Sequence, residues 1–343
     1  MASSVPFVPQ RVLVTGGAGY IGSHIVRQLG EAGHHVTVYD NLSSGHPEAV
    51  LYGELVQGEL SDSARLGALF EKGEFDAVIH FAASIVVPES VSDPLKYYQN
   101  NTINTVGLLG VCQAFGVDRL VFSSTAAVYG TPDRSPIPED ARLRPENPYG
   151  WSKLMSEQAM WDLSRASRFR HVILRYFNAA GADPQGRIGE CHEPETHLIP
   201  LALQVASGRR DHLMVFGNDY PTPDGTCVRD YVHVEDLASA HLAALNYLVA
   251  GGEPAVLNCG YGHGFSVREV IDTVRRVTGH ALPVIDAERR AGDPAELVAD
   301  NRRIRTTLGW TPRYDDLEQI VAHAWAWEQN QAAARASSRN SDS

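Results

Sequence analysis

Apolar segments of strand length alternate with helix-length segments through the first half of this chain. Strands separated in sequence by helices pair in parallel, because each connection crosses back over the sheet. The pattern therefore predicts an α/β fold built on a doubly wound parallel sheet. The predicted strands occupy residues 11–16, 35–40, 54–60, 76–83, 120–125 and 171–181.

The alternation becomes irregular after Gly181, where proline and glycine collect in residues 217–226 and only short strands are predicted, near Ala255 and Leu282. This change predicts a second, smaller α/β lobe that follows the sheet domain. The expected division is a sheet domain at 11–180 with 228–250 packing back on it, a lobe at 181–227 and 251–328, and a disordered, serine-rich tail at 329–343.

Composition restricts the classes of partner. The 343 residues include 29 basic and 41 acidic side chains, a formal net charge of −12, which repels nucleic acid. No uncharged apolar run reaches the about 18 residues that a membrane-spanning helix needs, so we expect no membrane partner. Four scattered cysteines without a CxxC pair predict reduced thiols in the cytoplasm. The histidines show no HExxH-like spacing, and we therefore predict no metal site.

The segment TGGAGYIGSH, residues 15–24, places Gly16, Gly19 and Gly22 between a predicted strand and a predicted helix. Bare backbone there lets a pyrophosphate approach the positive end of the helix. The second predicted strand ends in Asp40, 18 residues after Gly22, where a carboxylate accepts hydrogen bonds from a ribose diol and repels a 2′-phosphate. Residues 11–180 are therefore predicted to be a Rossmann-type domain that binds NAD rather than NADP.

Tyr149 and Lys153 lie four residues apart in NPYGWSK, where Asn147 can cap a helix and Pro148 can be its first residue. Side chains at this spacing share one helix face. A neighbouring ammonium group favours the phenolate form of tyrosine, so Tyr149 is a candidate base for a hydroxyl proton.

The predicted strand at 120–125 ends in Ser123, Ser124 and Thr125, and two alanines follow it. Ligands of open parallel sheets bind at the carboxyl ends of the strands. The three hydroxyl groups are therefore expected at the same edge as the glycine motif.

Taken together, these motifs resemble the extended short-chain dehydrogenase/reductase family, and within it the sugar-nucleotide 4-epimerases, from residue 11 to about residue 327. The resemblance implies bound NAD, a UDP-sugar substrate, interconversion of UDP-galactose and UDP-glucose, and a homodimer. The segments that carry it are TGGAGYIGSH, YDNLSSG, HFAA, FSSTAAVYG, NPYGWSK, LRYFNAAGA, GNDYPTPDGTCVRDYVHVEDLA and RRAGDP.

The resemblance also assigns roles to individual residues. Tyr149 is implied as the base, Lys153 as a cofactor-ribose contact that lowers the pKa of Tyr149, and Thr125 as the hydroxyl that holds the sugar O4, with Ser124 an adjacent helper. The implied cofactor contacts are Gly16, Gly19, Tyr20, Ile21, Gly22, Asp40, Asn41, Glu59, Leu60, Phe81, Ala82, Ala83, Asn100, Lys153 and Tyr176. The implied substrate contacts are Thr125, Tyr149, Asn178, His197, Leu198, Phe216, Arg229, Tyr231, Arg290, Asp293 and Leu297, with Arg229 and Arg290 on the diphosphate.

Ala126 and Ala127 separate this chain from related 4,6-dehydratases, which carry an acid or an acid pair after the threonine. Without such an acid, nothing beside Thr125 can protonate a departing 6-hydroxyl group. The resemblance therefore implies oxidation at C4, rotation of the 4-keto sugar, and reduction on the opposite face.

Three positions depart from the resemblance, and one position bears on the sugar. Ile85 stands where many epimerases have a lysine that reaches the cofactor, His197 where some have an asparagine, and Glu59 where an aspartate often meets the adenine. Leu297 aligns with a position where tyrosine excludes an N-acetyl group and smaller residues admit it. Two alternatives remain open: epimerisation of another UDP-sugar (an N-acetylhexosamine, a pentose or a uronic acid), and a non-catalytic protein that binds NAD or a sugar nucleotide.

Overall fold

The computed structural model describes residues 8–290 and 292–341, with side chains as far as residue 333. Its strands are β1 (Arg11–Thr15), β2 (His35–Asp40), β3 (Glu54–Gln57), β4 (Ala77–His80), β5 (Arg119–Thr125), β6 (Arg170–Tyr176), β7 (Asn178–Ala180), β8 (Leu213–Phe216), β9 (Val228–Arg229), β10 (Tyr231–His233), β11 (Ala255–Cys259), β12 (Phe265–Ser266), β13 (Val284–Ala287) and β14 (Glu296–Leu297). Its α-helices are α1 (Tyr20–Glu31), α2 (Ser63–Gly73), α3 (Val87–Ser92), α4 (Pro94–Tyr97), α5 (Asn104–Ala114), α6 (Pro148–Ala166), α7 (Leu198–Ala206), α8 (Val234–Val249), α9 (Val267–Thr278), α10 (Arg302–Leu308) and α11 (Leu317–Ser341), and a π-helical segment, Tyr98–Ile103, joins α4 to α5.

The central sheet has seven strands in the order β11-β6-β5-β4-β1-β2-β3, and every neighbouring pair is parallel. This confirms the predicted α/β fold with a doubly wound sheet. The chain moves outward from β1 to β3 and then returns to the other side of β1 with β4. A ligand crevice is expected at that reversal, at the carboxyl ends of β1 and β4.

Apolar side chains cover both faces of this sheet, as a parallel sheet requires. On one face Val12, Val14 and Val121 pack with residues of α1 and α8, and on the other Leu13 and Phe122 pack with residues of α5 and α6. Alternate residues of one strand therefore serve two different cores.

The strand β11 corrects one part of the expected division, which assigned residues 251–328 to the second lobe. Ala255 pairs in parallel with Val172, so β11 extends the central sheet beyond β6. The strand has only five residues, and its partner lies more than 80 residues earlier in the chain. A local sequence pattern carries no information about such a non-local pairing.

Small sheets assemble the C-terminal part of the molecule. The strand β9 pairs with both β12 and β14, and Leu297 of β14 lies opposite Arg229 of β9. The strands β8 and β13 pair separately. Segments about 36 to 71 residues apart in sequence are thereby brought beside one another.

The final helix corrects the predicted disorder of residues 329–343. The helix α11 continues through Ser341, and residues 342 and 343 lie outside the described chain. Alanine, glutamine and arginine, which are frequent in this segment, have high helix propensity, which favours continuation of the helix begun at Leu317. In the described residues, no helix is both long enough and apolar enough to cross a membrane.

A buried ionic cluster joins α1 to α8. The Glu235 carboxylate contacts His24 Nδ1 at 2.5 Å and forms an ion pair with Arg27. Burial by itself raises the pKa of Glu235, but the hydrogen bond and charge of His24, with the charge of Arg27, outweigh it and hold the pKa at about 2. The carboxylate therefore stays ionised in the folded protein and stabilises it at neutral pH.

We expect Glu235→Gln to lower the free energy of unfolding at pH 7 by about 3 kcal/mol, because it leaves Arg27 buried without its main partner. The contribution of Glu235 is complete above its unfolded pKa of about 4.3 and disappears as pH falls toward 2. Urea unfolding at several pH values measures both effects. Glu31→Gln is the matched control, because Glu31 is a second partner of Arg27 and is 39% exposed. Loss of this exposed ion pair should lower the free energy of unfolding by less than about 1 kcal/mol. Equal losses in the two variants would contradict the assignment.

Candidate active site

The predicted pair Tyr149 and Lys153 lies in the first turns of α6. Asn147 caps this helix by accepting a hydrogen bond from the backbone N–H of Gly150 at 2.9 Å, and Pro148 is the first helical residue. Both local features match the expectation from sequence. The helix therefore begins where the spacing requires, with both side chains on one face.

Lys153 belongs to α6, and its side chain is almost fully buried against β5. Its Nζ donates to the carbonyl oxygen of Ser123 at 2.9 Å and lies 4.9 Å from the centre of the Phe122 ring. Burial lowers the pKa of Lys153 to about 7, against the charge of Glu157, which raises it. An ammonium group in this position is held at the end of β5 and has few conformational alternatives.

Tyr149 lies beside Thr125, the last residue of β5. Burial raises the pKa of Tyr149, and side-chain hydrogen bonding to Thr125 opposes that rise. Thr125 Oγ1 also accepts the backbone N–H of Ala127 at 3.1 Å, which fixes the hydroxyl at the strand end. The structure thus places the Tyr149 phenol beside the Thr125 hydroxyl, and the Lys153 ammonium at the carbonyl oxygen of Ser123, two residues earlier in the same strand.

Ser124 was predicted to assist Thr125, but its side chain points to the opposite face of β5. Its Oγ donates to Glu157 at 2.5 Å, away from Thr125. Successive side chains of a strand face opposite sides, so Ser124 and Thr125 cannot both face one site. Ser123 shares the side of Thr125, and its hydroxyl contacts the Tyr176 hydroxyl.

The glycine-rich loop connects β1 to α1. Gly16 has φ of +71°, and a Cβ there would lie 2.5 Å from the backbone nitrogen of Ala82. At Gly22 a Cβ would lie 2.2 Å from the carbonyl oxygen of Gly16. Gly19 caps α1 without a side-chain hydrogen bond, so the first N–H groups of the helix remain available to an anion.

Asp40 ends β2 beside this loop. One carboxylate oxygen accepts the N–H of Ala18 at 3.0 Å and the other accepts the N–H of Leu42 at 2.8 Å. Each oxygen keeps a lone pair for a ribose hydroxyl. Next to Asp40 a cavity of about 480 Å³ opens between Asn41, Glu59 and Arg65. The loop, the carboxylate and the cavity fit the adenosine diphosphate half of a dinucleotide.

The other predicted cofactor positions lie in the glycine-rich loop, at the carboxyl ends of the central strands, or in the π-helical segment. Asn100 donates to Ser84 Oγ at 2.9 Å, and Ile85, the departure from the lysine, is an exposed apolar side chain. These positions are Gly19, Tyr20, Ile21, Leu60, Phe81, Ala82, Ala83, Asn100 and Tyr176.

Two of the predicted substrate residues, Arg229 and Leu297, lie in the small sheet β12-β9-β14. Arg229 forms an ion pair with Asp293, and the guanidinium of Arg290 stacks 3.9 Å from the centre of the Phe216 ring. Leu297 packs against the cluster that contains Ala126, directly after Thr125. The two arginines that the resemblance placed on the diphosphate are thereby oriented by an acid and by an aromatic ring.

Two further predicted residues meet across the pairing of β7 with β10. Asn178 lies opposite Tyr231, and the backbone N–H of Asn178 donates to the carbonyl oxygen of Asp230 at 2.9 Å. Burial raises the pKa of Tyr231, so its phenol stays protonated.

His197 and Leu198 stand at the start of α7. His197 Nδ1 contacts the carboxylate of Glu190. Burial lowers the pKa of His197, but the Glu190 carboxylate outweighs this and raises it to about 9. Three residues that surround His197, namely Glu190, His192 and Glu195, were not predicted from the sequence, because their spacing is not that of a helical HExxH motif.

The sequence analysis also missed a buried ion pair behind the site. Arg175 Nη2 contacts Glu157 at 2.6 Å, and Arg175 Nη1 contacts the Tyr129 hydroxyl at 3.0 Å. A signal for Glu157 was present, because this acid follows Lys153 by one further helical turn in YGWSKLMSEQ.

Comparison with known proteins agrees with this arrangement. A sequence profile of the NAD dependent epimerase/dehydratase family matches residues 12–260. A UDP-glucose 4-epimerase of Azospirillum brasilense is 54% identical over 321 residues, which are 93% of this chain and 92% of the relative. The structure of UDP-glucose 4-epimerase from Brucella ovis in complex with NAD has a TM-score of 0.89 and 49% identity, covering 92% of this chain and 98% of that one.

A second solved structure, the UDP-Glc/GlcNAc 4-epimerase from Campylobacter jejuni, has a TM-score of 0.83 and 48% identity, covering 93% of this chain and 99% of that one. The similarity therefore extends over almost the whole of both chains and includes the glycine-rich loop, the sheet and the C-terminal segments. Because the profile and these relatives each cover most of its length, the chain belongs to the NAD dependent epimerase/dehydratase family.

Proposed function

We propose that this protein interconverts UDP-galactose and UDP-glucose, using NAD as a cofactor that is regenerated in each cycle. The observation that carries the proposal is the position of Tyr149, Thr125 and Lys153 at the carboxyl end of β5, the same edge of the parallel sheet at which the glycine-rich loop follows β1. The names of the similar proteins support the same reaction.

NAD fits the residues present and would be held by the glycine-rich loop, Asp40 and the cavity at Asn41 and Glu59. When bound, NAD supplies a hydride acceptor for C4 of the sugar and returns the hydride afterwards. Lys153, held at the carboxyl end of β5, would contact a ribose of the cofactor, as the family resemblance implies.

Proton transfer at the sugar O4 is assigned to Tyr149. Thr125 holds the same oxygen by a hydrogen bond and orients it toward the phenol. The Lys153 ammonium stabilises the phenolate electrostatically, and this effect is stronger in a buried site than in water. Since Ala126 and Ala127 provide no acid, loss of water from C6 has no catalyst here.

Arg229 and Arg290 are proposed to bind the diphosphate, since planar guanidinium groups match phosphate oxygens. Asp293 and the Phe216 ring support these two side chains, and Tyr231 and Asn178 border the same side. His197 and Leu198 complete the proposed nucleotide contacts. A nucleotide held at this end leaves the sugar free to rotate between the two hydride transfers.

Leu297 is proposed to set the range of accepted sugars. It packs against the buried cluster that contains Ala126 and Ile137, while its strand partner is Arg229, so we place it between the reacting end and the diphosphate end. A packed side chain excludes extra volume steeply, but leucine can change rotamer where an aromatic ring cannot. We therefore propose weak but measurable activity on UDP-N-acetylgalactosamine.

A second copy of this chain is the proposed protein partner. The helices α3 to α6 present six exposed apolar side chains, which we call the apolar helical face: Val91, Leu95, Ile103, Val106, Trp151 and Met155. Two of them, Leu95 and Val91, are 76% and 65% exposed. Clustered exposed apolar residues are typical of association surfaces, and a face built on helices suits a two-fold packing of helix against helix.

The reaction itself is tested by incubating the purified protein with UDP-galactose, without added NAD, and following UDP-glucose by chromatography. We expect conversion to an equilibrium mixture and release of NAD, not NADP, on denaturation. Absence of conversion, both without cofactor and with added NAD, would overturn the proposed function.

We expect Tyr149→Phe and Lys153→Met each to lower turnover of UDP-galactose by at least ~10²-fold, since one removes the proton acceptor and the other the charge that favours it. Steady-state assays measure the loss, and circular dichroism shows that the fold survives. Lys72→Met, at an exposed lysine near the end of α2, is the control and should retain the parent rate. A folded Tyr149→Phe protein with parent activity would rule out this mechanism.

Substrate range is tested at Leu297 with UDP-galactose and UDP-N-acetylgalactosamine. Leu297→Tyr should abolish activity on the acetylated sugar, because the ring fills the space of the acetyl group, and Leu297→Ser should raise it. Both changes should alter the activity on UDP-galactose less than the activity on UDP-N-acetylgalactosamine. The ratio of kcat/KM values is the measurement, and an identical ratio in all three proteins would show that Leu297 does not limit the pocket.

Light scattering after size-exclusion chromatography tests the dimer. The parent should have twice the mass of the 37.4 kDa chain. Leu95→Glu combined with Val106→Glu should give a folded monomer. Burial of two charges in the interface costs more free energy than the apolar contacts there contribute. Ile285→Glu, at an exposed apolar residue of β13, is the control and should leave the mass unchanged. A monomeric parent would refute the dimer, and a dimeric double variant would refute this interface.

A further inference from the structure

Four side chains with metal-ligating groups converge in the loop between β7 and α7. We call Glu190, His192, Glu195 and His197 the His/Glu cluster. Their donor atoms, two imidazole nitrogens and two carboxylate oxygens, all lie within 4.8 Å of one another. The proposed reaction uses only His197 and gives no role to the other three.

The contacts inside the cluster concentrate on one carboxylate. Glu190 Oε1 contacts the Nδ1 atoms of both histidines, at 3.1 Å for His192 and more closely for His197. Glu195 Oε1 lies 3.7 Å from His197 Nδ1. Both imidazole rings therefore turn the same nitrogen toward the same point.

Both carboxylates are withdrawn from water, since the Glu190 and Glu195 side chains are 5% and 4% exposed. Their second oxygens, Oε2 in each residue, accept no hydrogen bond from the part of the chain that the structure describes. Two adjacent carboxylates withdrawn from water need positive charge beside them, which protonated histidines or a bound cation can supply.

We propose that the His/Glu cluster binds one divalent transition-metal ion through His192 Nδ1, His197 Nδ1 and the two carboxylates. Imidazole and carboxylate are a donor set suited to Zn²⁺ and to neighbouring first-row ions. Ligand bonds of about 2.0–2.2 Å place four tetrahedral donors roughly 3.4 Å apart, so closure from 4.8 Å needs only side-chain adjustment. Two carboxylates and two neutral imidazoles then balance the charge of the ion.

Contacts outside the cluster hold its backbone in place. The Glu190 carbonyl oxygen accepts a hydrogen bond from Trp327 Nε1 of α11 at 2.8 Å. The Cys191 carbonyl oxygen lies 3.2 Å from His46 Nε2, and the His46 backbone N–H donates to Ala18 in the glycine-rich loop at 2.9 Å. The ion would thus fasten α7 to the loop that receives the cofactor pyrophosphate. With Nδ1 bound to metal, His197 keeps only Nε2 for any other ligand.

The site is tested by calorimetric titration of Zn²⁺ into the full-length holoenzyme after treatment with EDTA, a measurement that does not depend on the proposed function. We expect one equivalent to bind with micromolar or tighter affinity. Co²⁺ added in place of zinc should give the visible absorption bands of a four-coordinate site. No binding of either ion up to millimolar concentration would overturn the proposal, since the cluster would then be neutralised by protons on its histidines.

Variants identify the ligands. His192→Ala and Glu190→Gln should each weaken zinc binding by at least ~10-fold. Loss of a residue that supports a metal ligand already lowers metal affinity by this factor, and loss of the ligand itself should lower it at least as much. His263→Ala, at an exposed histidine that lies 2.7 Å from Asp315, should bind like the parent. Cys191→Ser should also bind like the parent, and loss of zinc in this variant would overturn the ligand set. Circular dichroism and thermal melting of the EDTA-treated variants show whether they are folded. If folded His192→Ala and folded Glu190→Gln both bind zinc with the affinity of the parent, the site is refuted.

Discussion

The buried ion pair between Arg175 and Glu157 joins the three segments that form the candidate active site. Arg175 belongs to β6 and Glu157 to α6, and Glu157 also accepts the hydroxyl of Ser124 in β5. Arg175 lies opposite Ser124 in the sheet, and Glu157 lies one helical turn beyond Lys153. The geometry of this ion pair therefore helps to set how α6 lies against the strand that ends in Thr125.

The same arginine extends this network beyond the sheet edge. Arg175 contacts the Tyr129 hydroxyl, Tyr129 donates to Asn258 of β11 at 2.6 Å, and the Asn258 backbone N–H donates to Glu139 at 2.9 Å. Removing one member of such a network leaves a buried polar group without its partner, which costs more than the average hydrogen bond contributes. The segment after Thr125 is thus coupled to the outermost strand of the sheet.

Much of the site follows from local sequence. The glycine-rich loop, the carboxylate at the end of β2 and the pair of Tyr149 and Lys153 depend on residues within one strand–loop–helix unit or one helical turn. Parallel strands bring their carboxyl ends to a common edge, so the meeting of these parts also follows once the alternation is recognised. Ser124 differs from the expectation because successive side chains of a strand face opposite sides, so the residue next to Thr125 lies on the other face of β5.

The sequence by itself determined the doubly wound sheet, the start of α6 and the family resemblance, because each depends on short-range spacing of apolar residues, caps and motifs. Only the tertiary structure decided that β11 completes the sheet, that Leu297 lies between Ala126 and Arg229, and that Glu190, His192, Glu195 and His197 converge. These features depend on pairings between distant segments or on the path of an irregular loop, where no period of 2 or 3.6 residues relates the side chains. Their distances are set by the packing of the whole chain, and packing is not a local property of sequence.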